Sequence, residues 1–171
     1  MRSQVDVRPA TPQDCPDINE IYRLAVLTGT GSFEIEPPDN AEMARRFEAV
    51  VAGGFPYLVA TGGAKVLGFA YANAFRARAA FRYTIEDSIY VAPGNQRDGV
   101  GRMLLGELIR QSRDCGFREM IAVIGDSANV ASIALHRAFG FKDAGMLTAV
   151  GYKHGLWLDA ALMQLSLHGE N

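Results

Sequence analysis

Residues 92–109 read APGNQRDGVGRMLLGELI, and the reading of this stretch decides the fold. Before it stands YTIEDSIYV (83–91), an alternating run with the period of a strand. Pro93 and Gly94 stop that strand. After them, Val100, Met103, Leu104, Leu108 and Ile109 recur at helical spacing and are expected to face inward, which predicts a helix from about Gly99 to Cys115. An ordinary helix start does not ask for Gln96, Arg97, Gly99 and Gly101 together. The first N–H groups of a helix lack internal partners and lie at the positive end of its dipole. Glycines there let a phosphate approach the backbone, and Gln96, Arg97 and Arg102 add donors. The stretch therefore reads as a phosphate or pyrophosphate cradle between a strand and a helix.

Two familiar phosphate loops do not fit. A Walker loop needs Lys after its last glycine, and Gly99 is followed by Val100. A dinucleotide fingerprint needs a third glycine where Leu104 stands. The pattern that fits is [Q/R]-x-x-G-x-[G/A] after a strand, through Gln96, Gly99 and Gly101.

Working outward, VDVR (5–8) alternates as a short strand. Thr11, Pro12 and Asp14 mark a helix start, and Ile18, Ile21, Tyr22, Ala25 and Val26 continue it as far as TGTG (28–31). Residues 28–38 form a loop carrying Phe33, and Asp39 with Glu42 opens a second helix to about Ala52. PYLVAT (56–61) and KVLGFAYANAF (65–75) pair as a hairpin about Gly62-Gly63. REMIAVI (118–124) is a strand, Asp126 or Ser127 caps a helix to about Phe139, and residues 141–150 and 157–167 are extended. The order β-α-α-β-β-β-α-β-α-β-β fits one mixed α/β (α+β) domain over residues 1–171. Its antiparallel middle excludes a simple doubly wound sheet.

Composition narrows the classes. The chain has 171 residues, 49% of them hydrophobic, and a formal net charge of -2. That charge argues against a nucleic-acid binder, which usually carries a basic excess. No run approaches the roughly 18 apolar residues of a membrane span, and the N-terminus lacks the apolar core of a signal peptide. Cys15 and Cys115 read as free thiols of a reducing cytoplasm. The histidines His136, His154 and His168 show no paired spacing for a metal, so none is expected.

Several ordered motifs extend the resemblance beyond the glycine loop: SIYVAP, NQRDGVGRMLL, AVIGDSANVAS (122–132), LHRAFGF (135–141) and GYKHGLWLD (151–159). Over nearly its whole length the chain resembles the GNAT superfamily of N-acetyltransferases. Within it, the phosphinothricin and methionine sulfoximine branch is the most similar, also through GSFEIEPP (31–38) and RARAAFRYT (76–84). The resemblance implies a central sheet of about seven strands flanked by about four helices and splayed at an acetyl-CoA site. It implies that the backbone of Ile89, Tyr90 and Val91 pairs with the pantetheine arm, as an added strand would. It further implies that Arg97, Asp98, Gly99, Val100, Gly101 and Arg102 hold the pyrophosphate. Asn129 and Ser132 would face the same cofactor, although both also suit the polar start of a helix. A small amino-acid-like acceptor and a homodimer follow from the same branch.

Acetyl transfer to an amine needs a base, because an amino group is protonated near neutrality. Glu86 is the candidate, with a solvated edge-strand charge as its plainer reading. Glu86, Ser88 and Tyr90 share one face of their strand, and Ile85, Asp87, Ile89 and Val91 share the other. Val91 N–H is the candidate donor to the carbonyl oxygen. His136 stands where many superfamily members place a tyrosine, and it is expected to protonate the thiolate, bind the cofactor or simply pack. Arg76 and Arg78, with Arg82 as a weaker third, read as a clamp for anionic or oxo groups of the acceptor, or as a solvated basic loop. Ser88 and Asp87 are further acceptor contacts, and Phe33 is an apolar wall or a loop anchor. Lys153, His154 and Trp157 belong to the pocket or to an interface. Direct transfer in a ternary complex is expected, since the catalytic strand has no cysteine. Alternatives are a peptide N-terminus, lysine or polyamine as acceptor, or a non-catalytic acyl-CoA sensor.

Overall fold

The computed structural model describes residues 4–168. In chain order it contains β1 (Val5–Pro9), α1 (Cys15–Thr28), α2 (Asn40–Ala52), β2 (Tyr57–Gly62), β3 (Lys65–Ala74) and β4 (Thr84–Val91). Then follow α3 (Val100–Asp114), β5 (Glu119–Gly125), α4 (Val130–Ala138), β6 (Lys142–Lys153) and β7 (Leu156–Ser166). The element order expected from the sequence is the observed one, with two short 3-10 turns added at Pro12–Asp14 and Ala79–Phe81. The strands form a seven-stranded sheet in the order β1-β2-β3-β4-β5-β7-β6. Only β4 and β5 run parallel, and every other pair is antiparallel.

Side-chain alternation splits the core between the two faces of the sheet. Tyr57, Val59 and Phe69 pack toward Ile18, Tyr22 and Val26 of α1 and Phe47 of α2. Leu58, Ala60 and Ala70 point the other way, onto Leu104, Leu105 and Leu108 of α3. The buried line of α3 is Val100, Leu104, Leu105, Leu108 and Ile109; Met103 was expected inward but lies on the outer flank, 42% exposed. The last helix also starts later than expected. Asp126 has a left-handed backbone (φ 71), its N–H donates to the Asp159 carbonyl, and its side chain accepts from Ala128 N–H. Residues 126–128 are thus a turn, and the cap is Asn129, whose Oδ1 accepts from Ser132 N–H at 3.3 Å.

One departure from a regular sheet positions the site. β4 pairs with β5 only from Thr84 to Asp87, opposite Glu119 to Ala122. Both strands then continue, β4 to Val91 and β5 to Gly125, without pairing. On its other side β4 stays in continuous register with β3 as far as Val91 opposite Gly68. The sheet is therefore split between β4 and β5, and α3 and α4 start beside the split.

Candidate active site

The split opens into a cavity of about 510 Å³. Its walls come from the second half of β4 (Glu86 to Val91), the end of β5, the loop after α1 with Phe33, and α4 with Asn129, Ser132 and His136. Unpaired strand backbone lines it. Ala92 N–H donates to Leu67 of β3 at 2.8 Å, so by strand alternation the neighbouring Val91 N–H points away from β3, into the gap.

The glycine loop closes one end. Gly94 (φ 87), Arg97 (φ 67) and Gly99 (φ 85) all take left-handed backbone, and Gly99 is the N-cap of α3. A Cβ on Gly99 would meet no atom within 4 Å, so the space beside it is open to a ligand. Met103 N–H is the first to reach back to Gly99, which leaves the amides of Val100, Gly101 and Arg102 at the free end of the helix. Arg97 and Asp98 are exposed on the loop, and Gln96 lines the cavity. Arg102 stacks its guanidinium over Phe139, 5.2 Å from the ring centre. Open amides at a helix start, next to a strand with one unpaired edge, fit the pyrophosphate and the amide-bearing arm of acetyl-CoA.

Glu86 and Ser88 lie on the α1/α2 face of the sheet, with Tyr90, which packs edge-on against Tyr22 at 5.1 Å. Burial pushes the Glu86 carboxyl above the usual carboxylate range, the charge of Asp87 adds to this, and Arg76 partly opposes it. Asp87 is on the opposite face. Its Oδ2 lies 2.9 Å from His136 Nε2, and both side chains are buried. His136 Nδ1 lies 2.7 Å from the Ser132 carbonyl oxygen. Both ring nitrogens thus face acceptors, so the imidazole donates from both when Asp87 is ionised. Burial by itself would lower the His136 pKa; the Asp87 hydrogen bond and charge and the Ser132 carbonyl outweigh it and leave it raised. The pairing spans 49 positions and has no signal in the sequence beyond the alternation that turns Asp87 toward α4.

Arg76 and Arg78 are exposed in the turn after β3, and the Arg76 guanidinium sits over Phe75 at 5.0 Å. Arg82 sits over Tyr83 at 4.5 Å. The loop carrying Phe33 is held from three sides. Thr30 donates to Asp126, buried Lys153 donates to the Ser32 carbonyl at 2.7 Å, and the Ser32 hydroxyl meets Tyr22 Oη at 3.0 Å. Phe33 itself lies against Gly151, where a Cβ would come within 2.6 Å of its ring. Tyr22 and Ser32 were not foreseen as site residues, because a tyrosine and a serine near a glycine-rich loop carry no pattern of their own. Trp157 is 70% exposed and packs on Tyr152, ring centres 4.9 Å apart, away from the cavity.

Comparison with known proteins reads the same arrangement. Residues 18–141 match the family model described as "Acetyltransferase (GNAT) family". The chain belongs to the GNAT acetyltransferase family. It is 48% identical over 167 residues to the phosphinothricin N-acetyltransferase of Alcaligenes faecalis, covering 98% of this chain and 85% of that one. It is 40% identical over 161 residues to the L-methionine sulfoximine/L-methionine sulfone acetyltransferase of Salmonella typhimurium, 94% of each chain. A GNAT superfamily phosphinothricin acetyltransferase from Sinorhizobium meliloti, solved in complex with acetyl-CoA, superposes with a TM-score of 0.91. That protein shares 47% identity over 97% of this chain and 89% of its own. The fold that holds the split sheet and the glycine-started α3 is thus a GNAT fold. Among the described residues, no helix is long and apolar enough to cross a membrane.

Proposed function

We propose that this protein transfers the acetyl group of acetyl-CoA to the α-amino group of a small amino-acid-like acceptor of the phosphinothricin, methionine sulfoximine or methionine sulfone type. The observation that carries this reading is the split beside Glu86. A partly buried carboxylate of raised basicity lines the same cavity as unpaired β4 backbone and the glycine-started helix. The names of the similar proteins support the acceptor class.

Acetyl-CoA supplies an activated acetyl thioester when bound. Backbone of Ile89, Tyr90 and Val91 orients its arm, and the loop from Arg97 through Asp98, Gly99, Val100 and Gly101 to Arg102 holds its pyrophosphate. For Asp98 the contribution is its backbone. Asn129 Oδ1 is spent on capping α4, so its amide NH₂ is the group offered to the cofactor, with Ser132 one turn on. Glu86 takes a proton from the acceptor ammonium, directly or through water. Val91 N–H donates to the oxygen that gains negative charge during transfer. The Asp87–His136 pair keeps a proton at the cavity wall, on the α4 face where the sulfur leaves. Asp87 acts through His136 in this reading, whereas Ser88 faces the acceptor beside Glu86. Arg76 holds the acceptor carboxylate, with Arg78 beside it, and Phe33 walls its far side. Attack is direct, within a ternary complex.

The chain works as one domain, and we place it in a reducing cytoplasm, which suits the exposed thiol of Cys115 and the unpaired Cys15. A homodimer is supported by the outer hairpin, where Met146, Leu147, Val150, Tyr152, Leu156 and Trp157 are each at least 48% exposed. So much apolar surface on an edge strand favours a partner.

The test is thiol release from acetyl-CoA against a panel of methionine sulfoximine, phosphinothricin, methionine sulfone, plain amino acids, a polyamine and a short peptide. Turnover confined to the amino-acid analogues supports the reading. Turnover of the peptide or polyamine alone, or acetyl-CoA binding with no turnover at all, overturns it.

A further inference from the structure

Asp159, the last residue of GYKHGLWLD, lies outside the lining of the main cavity. It is the one β7 residue opposite a bulge in β6. Leu147 pairs with Ala160 and Gly151 with Leu158, so residues 148–150 face Asp159 alone. Ala149 turns left-handed there (φ 53), a conformation that a residue with a Cβ adopts at a cost. Its N–H donates to Asp159 Oδ1 at 2.9 Å. The other carboxylate oxygen, Oδ2, accepts from the Ser127 hydroxyl at 2.7 Å, and the Asp159 carbonyl accepts from Asp126 N–H at 2.9 Å. The Ala149 N–H and the Ser127 hydroxyl hold the Asp159 carboxyl below the usual carboxylate range, so both oxygens are acceptors at neutral pH.

What Asp159 holds is the turn 126–128, and that turn sets where α4 begins. Ala128 N–H donates to Asp126 Oδ1 at 2.9 Å, and Asn129 N–H donates to the Asp126 carbonyl at 3.0 Å. Asn129 is the cap of α4 and lines the cavity with Ser132. Ser127 and Ala128 are exposed, so the turn has little packing of its own. The helix it starts is also lightly packed. α4 is nine residues long and buries only His136, whereas α3 buries six of its residues. The place of α4 therefore rests on its two ends: His136 bonded to Asp87 in the last turn, and the Asp159 brace before the first.

We infer that Asp159 is a positioning residue for the cofactor: it braces the turn 126–128 against the β6 bulge and so sets Asn129 where its amide meets acetyl-CoA. The inference rests on the reading of Asn129 as a cofactor contact and goes beyond it, since Asp159 lies outside the cavity and acts through Asn129. Holding the bulge takes one carboxylate oxygen, on Ala149. The second oxygen reaches across to Ser127, 32 positions away in the chain, and ties the outer hairpin to the start of α4.

The test measures the Kd of CoA by calorimetry with the full-length protein. Asp159→Ala is expected to weaken CoA about fivefold, the scale set by hydrogen bonds lost at one position. Asp159→Asn keeps an oxygen for Ala149 and can donate to Ser127, so it restores the parent's Kd to within about twofold. A double-mutant cycle supplies the readout that a merely structural role would not move. Asn129→Ala weakens CoA by itself, and in that background Asp159→Ala adds less than about twofold. Additive losses overturn the inference, and so does an Asp159→Ala protein with the parent's Kd. If Asp159→Ala does not fold, Ser127→Ala takes its place, an exposed change that removes one bond of the brace. A loss of about threefold there supports the inference, and the parent's Kd overturns it. If Asn129→Ala binds CoA as tightly as the parent, the cofactor contact at Asn129 fails and takes this inference with it.

Discussion

Glu86 and Asp87 are adjacent in the chain and opposed in the sheet. Glu86 lines the cavity on the α1/α2 face of the sheet, while Asp87 is bonded to His136 of α4 at 2.9 Å on the other face. The continuous register between β3 and β4 keeps this alternation strict, with no bulge to turn the two carboxylates toward each other. One strand thus presents a carboxyl of raised pKa on one face and a histidine-paired carboxylate on the other, at the point where the sheet splits.

Glu86→Gln is expected to lower kcat/KM by about 10²- to 10⁴-fold while leaving the affinity for acetyl-CoA unchanged. The acid limb of the parent's pH profile should reflect a carboxyl titrating above the ordinary glutamate value, because burial and Asp87 raise it. Activity falls as pH drops through that raised pKa, and the limb disappears in the variant. Steady-state kinetics across the acidic range, with calorimetry for the cofactor, checks both parts. A profile whose acid limb is the same in Glu86→Gln would remove this residue from the role of base.

Asp87→Asn addresses the pair on the other face. His136 has its folded pKa raised above the unfolded value of about 6.5. A raised pKa means that the stability from the charged pair is fully present below about pH 6.5 and is lost as pH rises through the folded pKa. The stability difference between parent and Asp87→Asn should therefore be greatest near pH 6 and shrink toward pH 9. Urea unfolding across that range measures it. A difference that grows with pH would mean a neutral imidazole in the folded protein.

How much of this was legible beforehand depends on the range of each signal. The strand–glycine–helix order around residues 83–115 and the alternation in TIEDSIYV are local, and both appear in the structure. The start of α4 was misplaced because Asp126 looks like a cap in isolation. Only its contact with Asp159, 33 positions on, shows that it closes a turn instead. The Asp87–His136 bond and the grip of Lys153 on Ser32 join segments far apart in the chain. Neither has a local period, so no reading of spacing reaches them.

Gly151→Ala tests whether Phe33 is held where the acceptor needs it. The new Cβ would sit 2.6 Å from the Phe33 ring, so the ring or the hairpin must shift. Overpacking of this kind costs about 1–3 kcal/mol. The KM for the acceptor should rise several-fold, by about 5-fold or more if the wall moves by a side-chain width, while the KM for acetyl-CoA stays as in the parent. Equal effects on both substrates, or none on either, would reduce Phe33 to a loop anchor. Thermal unfolding alongside the kinetics separates the packing cost from the effect on the site.

Trp157→Arg tests the outer hairpin. Trp157 is 70% exposed and Tyr152 59%, and their rings pack together on a strand pair at the edge of the sheet. Aromatic side chains so placed are typical of the anchoring centre of an interface, where truncation or charge costs about 2 kcal/mol or more. At that cost a dimer dissociates at roughly thirtyfold higher concentration, which sedimentation or light scattering over a dilution series resolves. The variant should fold as the parent does, since the side chain it replaces supports no part of the two core layers. The same hairpin carries Lys153 and Gly151, which hold the loop of Phe33, so loss of the partner should also raise the acceptor KM. A parent that is monomeric at micromolar concentration, or a variant that associates as tightly as the parent, would rule out this edge as the dimer surface.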